Sequence, residues 1–444
     1  MRIETKAAKA VIGGRMARNE QYVVGLDVGS SKVTAIVGEA MEDGSLEIVG
    51  TGLADAKGIR RGVIVNLEQA VDSIKRALDD AELMAGVVIE SVYLGLSGGH
   101  ARALNSRGVV AVSGAHREIT REDVRRAIDA AKAPPVPNGY EVLHVLPQDF
   151  VVDEQEQIVA PVGMIGSRLE VQTHIVTCRQ STSENVVASV NRSGVKVIDT
   201  VLEQLAAAEA VLTPDEKELG VAIVDIGHGV TDYAVYERGS LWHTGAVMQG
   251  GELFTEDLAV GLRTPIADAE RTKRRDGCAL VTLVDEDQAI EVASVGGRQP
   301  RRVKRRLVAE ILQPRAEEIF HLLSDDIRKK GFEHSLNAGL VLTGGGSALE
   351  GMTEIAEQIF DVPVRRGSPL GVRGLTDHID NPAFSTAVGL VMYAHRIHVI
   401  DKEQAPVGVL DRVRTIIRSF LSYVDLVERN GEEDRYVGIR RNDW

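Results

Sequence analysis

The sequence predicts an α/β protein of two duplicated lobes, with a smaller α+β unit inserted into the first. Three observations carry that reading. GLDVGSSKVTAIV, beginning at Gly25, and IVDIGHGVTDYAV, beginning at Ile223, share one plan: an apolar strand ends at an Asp, an x-Gly and a short polar turn follow, and a strand returns. A repeat of this kind implies two similar subdomains facing one another. Between the repeats, Ser91 to about Cys178 alternates short strand and helix signals broken by APPVPN at 133–138, which makes a compact unit of its own. Late in the chain, LVLTGGGSALEGM from Leu340 gives strand, glycine turn and helix.

The elements follow in order. Residues 1–21 carry Arg2, Lys6, Lys9, Arg15 and Arg18 without an apolar core, so they are predicted as a flexible extension and not a signal peptide. Tyr22–Glu39 is the first hairpin, Leu46–Leu53 a third strand, and Leu67–Leu83 a helix, with Leu67, Ala70, Val71, Ile74, Ala77 and Leu78 at helical spacing. Ile89–Leu96 is a strand, SGGH its turn, and Arg107–Val112 a short strand. Thr120–Lys132 is a helix with Thr120 as N-cap and Asp123 completing a capping box. Strands are predicted at Glu141–Pro147 and Leu169–Cys178, then helix, strand and helix over Ser183–Leu212. The second hairpin starts at Val221, a charged helical region runs from Gly250 to Lys330, and a last helix spans Ser385–His395.

Composition limits the function. At 444 residues the chain has room for two to four units, using roughly 100–200 residues per domain. Hydrophobic residues at 44% and charged ones at 26% are ordinary globular usage. A net charge of −14 argues against a nucleic-acid partner, because phosphate recognition releases counterions from a basic face. Cys178 and Cys278 lack disulfide-framework or zinc spacing, so a reducing cytoplasm is expected. No run reaches the ~20 apolar residues that cross a bilayer.

Glycine turns beside strand ends let backbone amides approach phosphate oxygens, forming an anion-binding nest. One such loop is weak evidence; here three occur in order, at Asp27–Lys32, Asp225–Asp232 and Gly344–Ser347. The first two would clamp a phosphate tail from opposite sides and the third would support an adenosine. Asp27 and Asp225, at the carboxyl ends of strands, would hold Mg2+ through its waters. Each loop alone is equally explained as a tight turn requiring glycine.

The two Asp-x-Gly hairpins and the TGGG turn resemble the phosphate-1, phosphate-2 and adenosine motifs of the actin, heat-shock chaperone and sugar-kinase ATPase fold. Within that actin-like fold the chain most resembles the FtsA family, over about Tyr22 to His395. GLDVGSSKV, RGV at 61–63, AELMAG, SVYLGLSG, VLHVLPQDF, ELGVAIVDIG, DGCAL, VGGRQPRR, GLVLTGGGSALEGM and STAVGL fall in family order. The resemblance implies subdomain 1A at 22–90, completed by about 370–396, and a 1C (SHS2-like) insert at 91–178. It also implies 2A at 179–250 and 335–369, 2B at 251–334, and a linker, amphipathic helix and polar tail at 397–444. By position, Asp27, Gly29, Ser30, Ser31 and Lys32 correspond to phosphate-1, and Asp225, Gly227, His228, Gly229, Val230 and Thr231 to phosphate-2. Gly344, Gly345, Gly346 and Ser347 correspond to the adenosine loop, while Gly250, Gly251, Glu252, Glu270 and Lys273 would lie near ribose and adenine. Lys273 sits in ERTKRR, which a solvated charged helix explains equally well. His228 stands where bacterial relatives usually have a third glycine; its ring either approaches the terminal phosphate or, as expected here, points to solvent. No general base is evident, so ATP with Mg2+ is expected to act as a polymerisation switch with at most slow hydrolysis.

From Val409 the apolar residues Val409, Leu410, Val413, Ile416, Ile417, Phe420, Leu421 and Val424 form the stripe of an amphipathic helix, with Arg412, Arg414 and Arg418 off it. A helix docked on the protein's own core has the same pattern. FtsA relatives end in a membrane-targeting helix, so the resemblance favours an anionic membrane surface. The acidic polar segment after it and Asp411 and Asp425 dilute that character. The resemblance further implies a cell-division protein on the cytoplasmic face of the inner membrane at the division site, where it self-associates and anchors FtsZ filaments, the Z ring. The FtsZ C-terminal peptide would dock on the helical subdomain around Gly251–Glu333, which carries Arg301, Arg302, Lys304, Arg305 and Arg306. Later division proteins would meet the insert. The competing readings are a soluble actin-fold ATPase or phosphotransferase, which needs neither insert nor tail, and an actin-like scaffold of a pilus or plasmid system.

Overall fold

The computed structural model of the chain describes residues 21–113 and 116–403. The predicted N-terminal extension, apart from its last residue, and the amphipathic helix from Val409 lie outside the described residues. Two compact units emerge, one within Met1–His100, Thr182–Gly239 and Thr244–His395, the other centred on Ala101–Ser181.

Chain order begins with β1 (Tyr22–Val28), β2 (Lys32–Ala40) and β3 (Leu46–Asp55), then the short hairpin β4 (Ile59–Arg60) and β5 (Val63–Ile64), helix α1 (Leu67–Ala85) and β6 (Ser91–Leu96). Asn66 caps α1 by accepting from Gln69 N, and Gly86 ends it in the left-handed conformation. The inserted unit holds β7 (Ala101–Ala111), α2 (Arg121–Ala131), β8 (Tyr140–Val152), β9 (Gln155–Ile158) and β10 (Arg168–Arg179). Its sheet is antiparallel in the order β7-β10-β8-β9. Val124, Ala127 and Ile128 of α2 are buried in one cluster with Phe150, Leu169 and Val171 of that sheet. The capping box at Thr120 and Asp123 is present.

Next come α3 (Gln180–Arg192), β11 (Lys196–Leu202), α4 (Glu203–Val211), α5 (Pro214–Leu219), β12 (Val221–Ile226), β13 (Thr231–Glu237) and β14 (Ser240–Val247). The helical region is α6 (Gly251–Gly261), α7 (Ile266–Asp276), the small hairpin β15 (Ala289–Val292) and β16 (Arg301–Lys304), and the long α8 (Arg305–Lys329). Helix α8 buries Val308, Leu312, Ala316, Ile319, Phe320, Leu323 and Ile327, the i, i+3, i+4 stripe of a core-facing helix. Burying each large side chain contributes about 1.5–3 kcal/mol. The chain closes with β17 (Gly339–Thr343), α9 (Met352–Phe360), β18 (Val364–Arg366), β19 (Arg373–Gly374), α10 (Thr376–Ile379) and α11 (Ser385–Glu403).

The first unit contains two sheets, β11-β6-β1-β2-β3-β19 and β14-β13-β12-β17-β18. In both, the predicted hairpin supplies an antiparallel pair, β1 with β2 and β12 with β13, and a parallel neighbour lies beside it, β6 in one and β17 in the other. Two predicted boundaries differ. Ser91–Leu96 pairs with β1, so the insert starts after these residues and not at Ser91. Lys196–Leu202 pairs with β6, so it belongs to the first sheet and not to the second lobe. A buried parallel strand carries no local mark of which sheet it joins. The basic run at 301–306 is split between β16 and the start of α8, so it is not one helix face. Among the described residues no helix is long and apolar enough to cross a membrane.

Candidate functional site

The carboxyl ends of the parallel strands converge on one cleft of about 630 Å³ in the first unit. β1 delivers Asp27, β6 Ser97, β11 Glu203 at the start of α4, β12 Asp225, and β17 Gly344. Crevices outside strand carboxyl ends are where open α/β sheets bind ligands, because loops there are free to vary while the strands hold them rigidly.

All three predicted loops line this cleft: Asp27, Gly29, Ser30, Ser31 and Lys32 from the first, Asp225, Gly227, His228, Gly229 and Val230 from the second, Gly344, Gly345 and Gly346 from the third. Gly251, Glu270 and Lys273 line it as well. Thr231, Gly250 and Ser347 sit behind the wall. Thr231 Oγ1 donates to Gln249 O at 2.8 Å, Ser347 Oγ donates to Gly344 O at 2.7 Å, and a Cβ on Gly250 would lie 2.7 Å from Gly227 O. They hold the loops in shape. Glu252 turns instead toward Arg60 and Arg61.

Lys32 Nζ donates to Ala383 O at 2.7 Å and lies 4.1 Å from the Phe384 ring centroid, so its cation is fixed at the mouth of the first loop. Burial lowers its pKa, opposed by Asp27 and Asp225. Asp225 Oδ2 accepts from Thr386 Oγ1 at 2.8 Å. Gly344 has φ +78°, and a Cβ there would lie 2.1 Å from Asp225 Oδ1; only glycine lets the third loop cross the second aspartate.

Two carboxylates were not anticipated as site residues. Glu203 opens the Ala-rich helix α4, and Asp232 closes the second loop on β13; both line the cleft. Ser97 Oγ donates to Asp232 Oδ2 at 3.1 Å, and the Gly98 backbone amide also hydrogen-bonds the carboxyl. The sequence signal for Glu203 is an acidic residue directly after a strand, opening a helix of small residues; it becomes informative only once β11 is known to run parallel to β6. Burial raises the pKa of Asp27 to about 6, with Lys32 opposing and Asp225 adding to the rise. Burial and Asp225 raise Asp232 to about 7. Asp225 is raised by burial against its Thr386 hydrogen bond, and Glu203 is driven well above the carboxylate range by burial and then by the three aspartates.

Around Lys32 the cleft brings together the carboxyl oxygens of Asp27, Glu203, Asp225 and Asp232. That donor chemistry suits a hard, hydrated cation such as Mg2+. Among the described residues, no group of three His, Cys, Asp or Glu side chains is arranged to hold a metal ion directly.

At the other end, the Lys273 side chain is only 12% exposed, so it is not on a solvated helix face. Its Nζ donates to Gly251 O at 2.9 Å and Thr255 Oγ1 at 2.8 Å, and pairs with Glu270 Oε2 at 2.6 Å. Burial would raise Glu270, but hydrogen bonds from Lys273 and Thr255 outweigh it and hold the carboxyl at about 2. His228 is half-buried and lines the cleft, contrary to the expected solvent orientation. Burial first, then Lys273, lower its pKa, favouring the neutral ring.

The raised aspartates fix a sign for pH dependence. Between the unfolded carboxylate range and about pH 6–7 the folded protein holds more protons than the unfolded one, so the stability of the nucleotide-free protein falls as pH rises through that window. Saturating Mg2+-ATP should reverse that slope, because the cation stabilises the ionised forms. Thermal melts between about pH 5 and 7.5, with and without the ligand, check this.

A family model described as "Cell division protein FtsA" matches residues 222–389, and one described as "SHS2 domain inserted in FTSA" matches residues 98–177. The chain is 48% identical over 373 residues to the cell division protein FtsA of Pseudomonas aeruginosa, covering 84% of this chain and 89% of that protein. It is 41% identical over 415 residues to that of Escherichia coli K12, covering 92% and 98%. Among solved structures, the PilM-PilN type IV pilus biogenesis complex is similar with a TM-score of 0.61 at 16% identity, covering 83% of this chain and 97% of that one. MreB5 of Spiroplasma citri bound to ADP has a TM-score of 0.52 at 14% identity, covering 86% and 99%. These structural likenesses show the actin-like ATPase fold.

Proposed function

The chain belongs to the family of the cell division protein FtsA, and from that premise we propose that it is an ATP-binding, self-associating protein that anchors FtsZ filaments to the cytoplasmic face of the inner membrane and helps recruit later division proteins. The observation that carries the nucleotide part is the meeting of three glycine loops and four carboxylates in one cleft.

In this reading the amides of Gly29–Lys32 and Gly227–Val230 face the phosphates, Lys32 supplies a fixed cation, and Gly344–Gly346 with Lys273 and Glu270 border the nucleoside. Asp27 and Asp225 would hold Mg2+ through its waters. A bound Mg2+ would neutralise the phosphate charge that the aspartates repel. Glu203 and Asp232 stand where a water near the terminal phosphate would be oriented and its proton accepted. Burial raises the proton affinity of both carboxyls, and slow hydrolysis that times polymer turnover is expected of the site.

The FtsZ peptide is assigned to the 251–333 region, where Arg301, Arg302 and Lys304 lie on β16 and Arg306 is paired with Glu286 and Glu310. The insert would contact neighbouring protomers and later division proteins. Membrane attachment rests on the stripe beginning at Val409. A single interfacial helix binds reversibly, so polymerisation would supply the avidity.

Sedimentation with anionic liposomes tests the whole reading. The full chain with Mg2+-ATP should pellet with the vesicles and carry FtsZ filaments down, and a chain ending at Val407 should leave both in the supernatant. Equal behaviour of the two chains would remove the membrane assignment, and failure to bind labelled ATP would remove the nucleotide one.

A further inference from the structure

The β4–β5 hairpin crosses the phosphate end of the cleft and is tied down on both sides. Ile59 pairs with Ile64 and Arg60 with Val63, leaving a two-residue turn, Arg61-Gly62. Both turn residues have positive φ, +49° and +74°, as a tight hairpin of this type requires. Glycine accepts this readily; arginine does so at a cost, which indicates that the surroundings hold it there.

On one side, Gly62 N donates to Ser30 Oγ of the first phosphate loop at 3.1 Å, and His100 Nε2 lies 3.2 Å from Arg61 O. On the other side, the turn rests on the second loop: a Cβ on Gly229 would lie 2.9 Å from Arg61 Cγ and 3.2 Å from its Cα. Arg61 Nε is buried without a hydrogen bond and lies 3.6 Å from Glu252 Oε2, while Arg60 Nη2 is 3.5 Å from Glu252 Oε1. One carboxylate therefore faces two arginines of one turn. Glu252 is itself part of the second loop's support, since its backbone N donates to His228 O at 2.7 Å. Its side chain is only 22% exposed. The pairs stand at the outer limit of hydrogen bonding, so a small inward movement of the hairpin would convert both to direct bonds.

We propose that Glu252 is a positioning residue for the nucleotide, which with Arg60 and Arg61 straps the 59–64 hairpin over the second phosphate loop and slows nucleotide release. This rests on the nucleotide reading of the cleft. The strap joins the two lobes of the first unit through charges that lie outside the ligand's own contacts. Its expected effect is on release and not on recognition, because Arg60, Arg61 and Glu252 do not line the cleft.

The test is stopped-flow release of a fluorescent ADP from the full chain, chased with excess unlabelled ATP, in Glu252→Gln, Arg60→Gln/Arg61→Gln and the triple variant. Release should quicken about fivefold in either variant, as expected for a partly buried ion pair. It should quicken no further in the triple variant, because all three share one interaction. The association rate should stay within about twofold of the parent. The charge-inverted Arg60→Glu/Arg61→Glu/Glu252→Arg protein, in which one charge again faces two of the opposite sign, should recover part of the slow release, which a merely structural effect would not allow. Unchanged release in Glu252→Gln overturns the strap. So does slower release, which would mean that the freed arginines attract the phosphates. If the parent chain binds no labelled nucleotide, the cleft reading fails first and is distinguished from failure of the strap.

Discussion

Asp225→Asn is expected to lower Mg2+-dependent affinity for ATP about 100-fold while raising the melting temperature of the nucleotide-free protein. Both effects come from the same charge. Asp225 lies beside Asp27, whose pKa it raises, and near Glu203 and Asp232, so these carboxyls repel one another and a cation would relieve that repulsion. The amide keeps the size of the side chain and an acceptor for Thr386 Oγ1 but removes the charge that draws hydrated Mg2+. Isothermal titration with and without EDTA reads the first effect and a thermal melt the second. A variant that binds Mg2+-ATP normally would show that Asp225 has a purely structural place between the second and third loops.

Gly344→Ala is expected to destabilise the protein by about 3 kcal/mol and to abolish nucleotide binding in whatever fraction folds. With φ +78° and ψ 165° the residue occupies a region essentially confined to glycine, and the added carbon would lie 2.1 Å from Asp225 Oδ1 and 2.7 Å from Ile226 O. Gly345→Ala is the control: the nearest atom to its Cβ would be Ala383 Cβ at 3.8 Å, ordinary contact, so its stability should match the parent. Denaturant titration of the two variants separates a conformational requirement at one glycine from a general intolerance of the loop. Equal loss in both would refute the assignment of strain to Gly344.

Asp27, Asp225 and the glycines of the cleft were legible because their chemistry is written locally: Asp, x, Gly and a polar turn fall within six residues on each hairpin. Glu203 and Ser97 were not, because their place depends on β6 and β11 lying parallel beside β1, a pairing between segments far apart in the chain. For the same reason the first sheet claimed residues that the linear reading gave to the insert and to the second lobe. Lys273 was ambiguous in ERTKRR because side-chain burial has no signature in a run of charges; its contacts with Gly251, Thr255 and Glu270 distinguish it from Arg271 and Arg274 beside it. The strap at Glu252 was invisible for another reason, since it joins residues 60 and 61 to one almost two hundred positions later. The fold class required only the repeated hairpin and the third turn, each a local pattern.

The tether of Lys32 to Ala383 O sets a condition on any occupant of the cleft. Ala383 and Phe384 immediately precede α11; Thr386 in its first turn holds Asp225, and Ser385 Oγ accepts from Thr343 Oγ1 at 2.7 Å. Lys32 and Asp225 are thus both anchored at the root of one helix. With those bonds in place Lys32 keeps two further N–H donors and Asp225 keeps Oδ1, so a shift of that root would move the cation and the carboxylate together relative to any occupant.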